Sequence, residues 1–518
     1  ADATQVTPSA GAGPAPAFAL DVAALGGMYA GKITLVGTEA GVGVRNAGHI
    51  GAGAGGLVVT AAGRLENKGT LEGAKVELSS AADIDNRGGT VRQAGPRELA
   101  ITAPVLSNTG GGFIGAEPVV QPEPGSPPAS DPGNTNDAST GSVTPTMGTS
   151  TTTGTATPAI GEPAPLQPAP ATGPGAITAA GSVLNDGGRI YAGGEIALNT
   201  PRIDNTGGSL AVGTMAVTGE RFSNAGGTLN VSRGFSADVG RFDNTGGTLH
   251  AGDLLIRTAG DLVNRNGTLT GNGAVELAAG GTLDNTAGTI VGNDEAHVTA
   301  GVVNNQGGKI HAAGTANLTI SAAALLDNRH QGEIGAGGHT TINAGGLDND
   351  AGRITAVGDL RVTALGAASN RAGTLAANRN ASLDAASFSN DAGTFNAVGG
   401  DLAVTTAGTT VNQGGKLQAS GAVVLTNGGF NNSDGQVVGG RAAIDTRGNT
   451  LSNVRGTLAS TETTLDIQSG ALDNTAGLIQ STTALTLDTH GQTLTNANAA
   501  GHADGEGGIT SAAAMTLR

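Results

Sequence analysis

Residues Phe242 to Leu249 read FDNTGGTL, and near-copies of this octapeptide recur almost from one end of the 518-residue chain to the other. IDNTGGSL stands at Ile203 to Leu210, LDNTAGTI at Leu283 to Ile290, LDNDAGRI at Leu347 to Ile354 and LDNTAGLI at Leu472 to Ile479. Each copy reads apolar, polar, Asn, two small or polar residues, Gly, polar, apolar.

The Asn serves as a phase mark. It falls at Asn46, Asn67, Asn86 and Asn108 and, after one long gap, at Asn185, Asn205, Asn224, Asn244, Asn264, Asn285, Asn305, Asn328, Asn349, Asn370, Asn390, Asn412, Asn432, Asn453, Asn474 and Asn496. Outside the gap the marks lie 19 to 23 residues apart, the spacing of stacked repeat arrays rather than of globular domains. Within a unit the residue two before the Asn is apolar, as at Ile203, Phe242 and Leu283, and so is the residue five after it, as at Leu210, Leu249 and Ile290. A second apolar pair at period two follows halfway round, such as Leu254 with Ile256 and Leu360 with Val362. Short alternating runs punctuated by Gly and Asn are strand and turn chemistry.

Strands so short cannot close a core within one unit, so each circuit must lie on the next. The fold expected is all-β: a parallel β-helix of about 20 turns with about 20 residues per turn. At the strand spacing of ~4.8 Å it would be a monomeric rod of roughly 95 Å. The Asn side chain both donates and accepts, so stacked copies can bond to one another in a ladder, and Asn also tolerates the left-handed backbone of a sharp corner. The ladder expected runs through all the marks from Asn185 to Asn474. The following Gly is expected to supply positive φ or close backbone approach. Alternation places Leu283 in the bore and Asp284 outside, where its replacement by Ala should be nearly silent.

Composition narrows the function classes. With 26 Lys and Arg against 42 Asp and Glu, the net charge of −16 repels phosphate backbones. Aromatics make up 2% of the chain and Trp is absent, which removes the stacking platforms of single-strand binding. Nucleic acid is therefore not an expected partner. There is no Cys, so disulfides and thiol chemistry are excluded. No apolar run reaches the ~18 residues of a membrane helix, and Ala1 to Ala19 lacks the plan of a signal peptide. An export signal is expected outside this stretch, and the end at Arg518, without a polar closing turn, reads as a cut through something longer.

Residues Leu25 to Asn46, LGGMYAGKITLVGTEAGVGVRN, resemble the junction that follows the secretion domain in large bacterial exoproteins of the two-partner secretion class, the filamentous haemagglutinin and CdiA-type family. The LDNxxGxI units resemble that family's haemagglutinin repeats. The resemblance implies a right-handed β-helical shaft, export through a dedicated outer-membrane transporter, and a secreted or bacterial cell-surface location. It further implies a role in adhesion, by projecting binding or effector domains away from the cell towards receptors or glycans on host or neighbouring cells. Delivery in contact-dependent growth inhibition is the alternative. It carries over no catalytic residue and no cofactor.

Four segments follow: a flexible lead-in at 1–19, the first turns with the junction at 20–116, an insertion at 117–175, and continuous repeats at 176–518. The insertion holds 13 of the 19 prolines, no Lys or Arg, and a Thr-rich run from Ser150 to Thr157. That is the composition of a solvated, disordered loop leaving one corner.

β-Helices also host carbohydrate-active enzymes, so the carboxylates need weighing. Asp327 and Asp348 precede consecutive phase marks and would stack ~4.8 Å apart, close to the ~5 Å of retaining glycosidases. Asp recurs at this position throughout, however, and no basic partner is apparent in the sequence, so a solvated polar face is expected. His250 and His311 share a phase three turns apart, too far to share a metal. His330 and His339 fall in one irregular turn with Glu333. No catalytic, cofactor-binding or metal residue is expected. Phe222 and Phe242 share a phase on neighbouring turns, as a buried aromatic stack would.

Overall fold

The structure is a computed structural model that describes residues 13, 16–95, 98–116 and 175–518. Each circuit contributes three strand segments, called here faces A, B and C. In one representative turn, face A is the two-residue strand Leu347–Asp348, face B is Arg353–Ala356, and face C opens the strand Leu360–Ser369, whose end supplies face A of the next turn. Equivalent strands of successive turns pair in parallel. Leu326, Leu347 and Ala368 align on face A, Ile334, Ile354 and Leu375 on face B, and Ile342, Val362 and Leu383 on face C. The chain is therefore a parallel β-solenoid of about 20 turns.

Alternation decides what fills it. Ile354 and Ala356 on face B and Leu360, Val362 and Ala364 on face C are buried, whereas the residues between them point outwards. The bore is one continuous column of Leu, Ile, Val and Ala, a closed core that no single turn could build. Phe222 and Phe242 stack with ring centroids 4.9 Å apart and planes 2° apart, and Phe235 packs edge-on against both. That spacing is the turn-to-turn rise, as expected of one strand period.

The stack passes directly over the long sequence gap. Leu99–Ser107 pairs with Gly175–Leu184 and Phe113–Gly115 with Arg189–Asn199, so Asn108 and Asn185 belong to adjacent turns. The disordered loop expected at 117–175 lies outside the described residues save for Gly175, which opens a strand. In the junction, Gly27–Val36 and Gly43–Asn46 are strands, and Phe18–Val22 already pairs with the second of them.

The corner differs from expectation in one respect. The phase marks do not themselves take the left-handed conformation; from Asn86 onwards the residue two after does, with φ of 61° at Gly246, 51° at Ala287 and 55° at Ala351. The Gly three after the Asn, as at Gly247 and Gly288, keeps ordinary φ and is needed for close approach. A Cβ on Gly247 would lie 2.1 Å from the carbonyl oxygen of Asn224 and 2.6 Å from the Oδ1 of Asn244. Asn is recruited for its side chain, not for its backbone tolerance, and the left-handed position accepts Ala or Arg at a strain cost.

Candidate functional site

The phase-mark asparagines from Asn46 to Asn474 are buried in the corner between faces A and B, and the last, Asn496, is exposed. Nδ2 of each donates to Oδ1 of the next: Asn185 to Asn205 at 2.7 Å, Asn264 to Asn285 at 2.7 Å, Asn453 to Asn474 at 2.7 Å. The link is made even across the gap, Asn108 to Asn185 at 2.7 Å, and the last runs from Asn474 to Asn496 at 2.8 Å. Each Nδ2 also faces its own corner carbonyl and one in the next turn, as Asn264 does with Gly267 at 3.2 Å and Thr289 at 3.1 Å. Every mark from Asn185 to Asn474 lies on this one line.

The Asp before the Asn is not a solvated face. Its Oδ1 accepts the backbone N–H two residues on, closing an Asx turn, as at Asp284 to Thr286 (3.2 Å) and Asp473 to Thr475 (2.9 Å). Asp284 is only 5% exposed and also receives the Arg265 guanidinium and the Thr286 hydroxyl. The expectation that its removal is silent is therefore wrong: an outward position on this corner is buried by its neighbours.

Asp327 and Asp348 do stack, but with the basic partner that sequence reading missed. Arg329, at the same corner, holds Asp327 through Nη2 at 2.8 Å and Nε at 3.0 Å, and its Nε lies 3.4 Å from Asp348. Gln306 donates to Asp327 at 2.7 Å from the turn below. Burial pushes the Asp327 carboxyl up, but the bonds from Arg329 and Gln306 outweigh it and hold the group below its ordinary range. Asp348 is held above its ordinary range, first by burial and then by the Asp350 charge. The pair is two carboxylates sharing one guanidinium, which occupies its facing side.

Of the histidines, His250 and His311 are pushed down by burial and are neutral at pH 7. His339 Nδ1 accepts the Asp359 N–H at 3.0 Å, one rung of a second ladder that the octapeptide gave no sign of. There, Asn317, His339, Asp359, Asn380 and Asp401 each accept the backbone N–H of the next turn. Its sequence signal is a polar side chain just before the apolar pair of face C. Among the described residues no group of three His, Asp or Glu is placed to hold a metal ion.

The outer side of face B is concave. A groove of about 480 Å³ runs along it over six turns. Its floor is the outward residue in the middle of each strand: Val291, His311, Gly335, Thr355, Ala376 and Asn396. One wall carries Lys309, Glu333 and Arg353, the other Val357, Asn378 and Val398. Lys309 Nζ pairs with Glu333 at 3.1 Å, and His311 Nε2 lies 3.7 Å from the same carboxylate. Two floor atoms, His311 Nδ1 and Asn396 Oδ1, are buried without a hydrogen-bond partner. Gly335 sets the depth, since a Cβ there would come within 2.9 Å of the Thr355 hydroxyl.

A parallel solenoid with a side-chain ladder inside and a lengthwise groove outside defines the class of β-solenoid repeat proteins. The haemagglutinin-repeat model matches residues 17–112, 170–225, 213–287, 267–330, 313–372, 365–414, 397–463 and 437–518; the chain belongs to the haemagglutinin-repeat family of filamentous haemagglutinin and CdiA-type exoproteins. It is 57% identical over 74 residues to a toxin CdiA of Yersinia pestis, 14% of this chain and 2% of that one. It is 59% identical over 59 residues to the tRNA nuclease CdiA-2 of Burkholderia pseudomallei, 11% of this chain and 2% of that one. It is also 37% identical over 125 residues to the 16S rRNA endonuclease CdiA of Enterobacter cloacae, 20% of this chain and 4% of that one. The chain thus spans a few per cent of the length of these curated relatives. No solved structure matches it significantly.

Proposed function

We propose that this chain is a shaft segment of a large secreted, cell-surface exoprotein, exported through an outer-membrane transporter and acting in adhesion by holding other domains away from the cell. The observation that carries the reading is the continuous Asn line from Asn46 to Asn496, buried as far as Asn474, which makes length the product of the fold: each turn adds one strand spacing and its own hydrogen bonds. The chemistry it performs is mechanical, and no cofactor enters it. A second reading, the delivery stick of a contact-dependent growth-inhibition protein, is favoured by the relatives named as a toxin and as nucleases. Both readings give this stretch the same task.

The test is to shorten the shaft in register. Deleting residues 265–305 removes two whole turns and lets Asn264 take the place of Asn305 above Asn328. The variant should fold, melt as one unit with the parent and lose about 10 Å of rod, with a graded loss of cell contact when placed in the full exoprotein. Unaltered contact after removal of many turns would overturn the shaft reading. Deleting half a turn instead should break the stack at that point.

A further inference from the structure

The corner after the last phase mark is unlike the others. Asn474 and Leu478 stand four residues apart, whereas the residues stacked on them in the next turn, Asn496 and Gly508, stand twelve apart. The extra length, with left-handed Asn498 (φ 53°) and the short 3-10 helix Ala499–Gly501, folds back down the rod. It carries the His502 imidazole to Thr457, which lies two turns below Gly508. There the His502 side chain is only 7% exposed, while Thr457 is partly buried and Asp504 is exposed.

Three side chains meet in one line. Thr457 Oγ1 lies 3.2 Å from His502 Nε2, and His502 Nδ1 lies 2.6 Å from Asp504 Oδ1. The tautomer follows from the end of that line. An ionised carboxylate only accepts, so Nδ1 carries the proton, Nε2 keeps its lone pair, and the Thr457 hydroxyl donates to Nε2. The Glu506 backbone N–H donates to the same Asp504 oxygen at 2.8 Å and fixes the carboxylate. The bond from His502 is the first cause of that carboxyl lying below its ordinary range. A hydroxyl, an imidazole set to take its proton and a carboxylate orienting the imidazole are the parts of an activated nucleophile. Fastening the corner to the rod would need the first bond alone. Gln436 stands beside Thr457 in the turn below, and its exposed side-chain amide makes no hydrogen bond among the described residues. That leaves an N–H donor one strand spacing, ~4.8 Å, from the nucleophile for a developing oxyanion.

We propose that Thr457, His502 and Asp504 form a catalytic triad for acyl transfer from small carboxylic esters to water. Thr457 Oγ1 bonds to the ester carbonyl carbon as its proton passes to His502 Nε2; the bond from that carbon to the alcohol oxygen then breaks, and the leaving alkoxide takes the proton. Water attacks the acyl-Thr457 carbonyl and gives a proton to Nε2, which returns it to Oγ1 as the acid departs. Asp504 is a positioning residue that fixes the tautomer. With one amide donor at hand the class served is esters, whose alkoxide leaves more readily than the amine of an amide. The site stands on its own geometry and not on the shaft reading.

The test is hydrolysis of p-nitrophenyl acetate by the full chain, with an alkyl fluorophosphonate as a second probe. The parent should hydrolyse the ester with saturation, and the fluorophosphonate should label Thr457, its Oγ1 bonding to phosphorus as fluoride leaves, read by peptide mass spectrometry. Thr457→Val removes the hydroxyl and keeps the shape; it should lower the rate by about a hundredfold or more and abolish the label. Thr457→Ser should retain both. Asp504→Asn should lower kcat about a hundredfold and leave KM unchanged, a split that loss of packing at the corner would not give. Thr248→Val, at the same place in a turn with an ordinary corner, should change nothing. Melting temperatures of the variants should match the parent and so exclude unfolding as the cause. A parent no faster than Thr457→Val, a label absent from Thr457, or a folded Asp504→Asn variant with unchanged kcat would overturn the proposal.

Discussion

Along the corner between faces A and B the same residue returns at every turn, buried as far as Asn474, with one bond of 2.7 to 2.8 Å to the copy above it. Along the middle of face B, on the outside, the residue changes at every turn: Val291, His311, Gly335, Thr355, Ala376, Asn396. The circuits are the same, so the contrast comes from what each position must satisfy. A buried amide has four hydrogen-bonding sites to fill and no water to fill them; only another amide at the same height does so turn after turn. An outward residue on face B has solvent available and its backbone already paired, and there the chain can differ from turn to turn. Repetition marks the positions the scaffold must satisfy, and variation those it leaves free.

The contrast can be broken from the inside outwards. Leu283→Asp places an unpaired carboxylate in the bore, where Leu283 is fully buried, and should cost more than about 4 kcal/mol, seen as loss of the folded signal for the surrounding turns. Asn264→Ala takes the amide acceptor from Nδ2 of Asn244, leaving it two corner carbonyls, and takes the ladder donor from Oδ1 of Asn285. It should cost about 3 kcal/mol, with faster hydrogen exchange centred on those two turns. A change within 0.5 kcal/mol, the size of an ordinary surface substitution, would remove the ladder from the account. Asp284→Ala opens one Asx turn and strands Arg265, and should cost about 1 to 2 kcal/mol in thermal or denaturant melts.

The smallest effect has two signs. Asp327 has a folded pKa below its unfolded value of about 3.9. Its contribution is present above that pH and is lost as pH falls through the folded value. Asp348 has a folded pKa above the unfolded one, so its ionisation removes stability as pH rises through the same region. At pH 7, Asp327→Asn should destabilise and Asp348→Asn should stabilise, each by about 1 kcal/mol or less given partial solvent screening. The difference should vanish only once the pH has fallen through the lowered folded value of Asp327, where both carboxylates are protonated.

The legibility of the two regions in the sequence follows the same division. The ladder could be read because one residue type, one period and one neighbouring Gly coincide in every copy, and apolar residues at fixed offsets placed the bore, Leu283 included. The corner was misread in detail because Asn and Gly each have two uses, side chain or φ for one and φ or close approach for the other. Only the positions of Gly246 and Gly247 within the turn separate them. Asp284 was misjudged because exposure at a corner depends on turns above and below, some twenty residues away in sequence; Arg329 was missed although it stands two residues after Asp327, because only the corner's geometry turns its side chain back onto that carboxylate. The groove gave no periodic signal at all: its floor is six different residues, and its depth comes from Gly335 lying between His311 and Thr355, a relation that exists only once the turns are stacked.

The central claim is that every circuit lies one strand spacing above the last, and the absence of Cys from the chain allows it to be measured directly. Spin labels on cysteines at Thr228 and, in separate variants, Lys309, Arg353, Lys416 or Gln436, all exposed on one line of face B, should give mean separations by dipolar spectroscopy of about 19, 29, 43 and 48 Å, rising linearly with turn number at ~4.8 Å per turn. Separations that level off, or that scatter without regard to turn number, would contradict it.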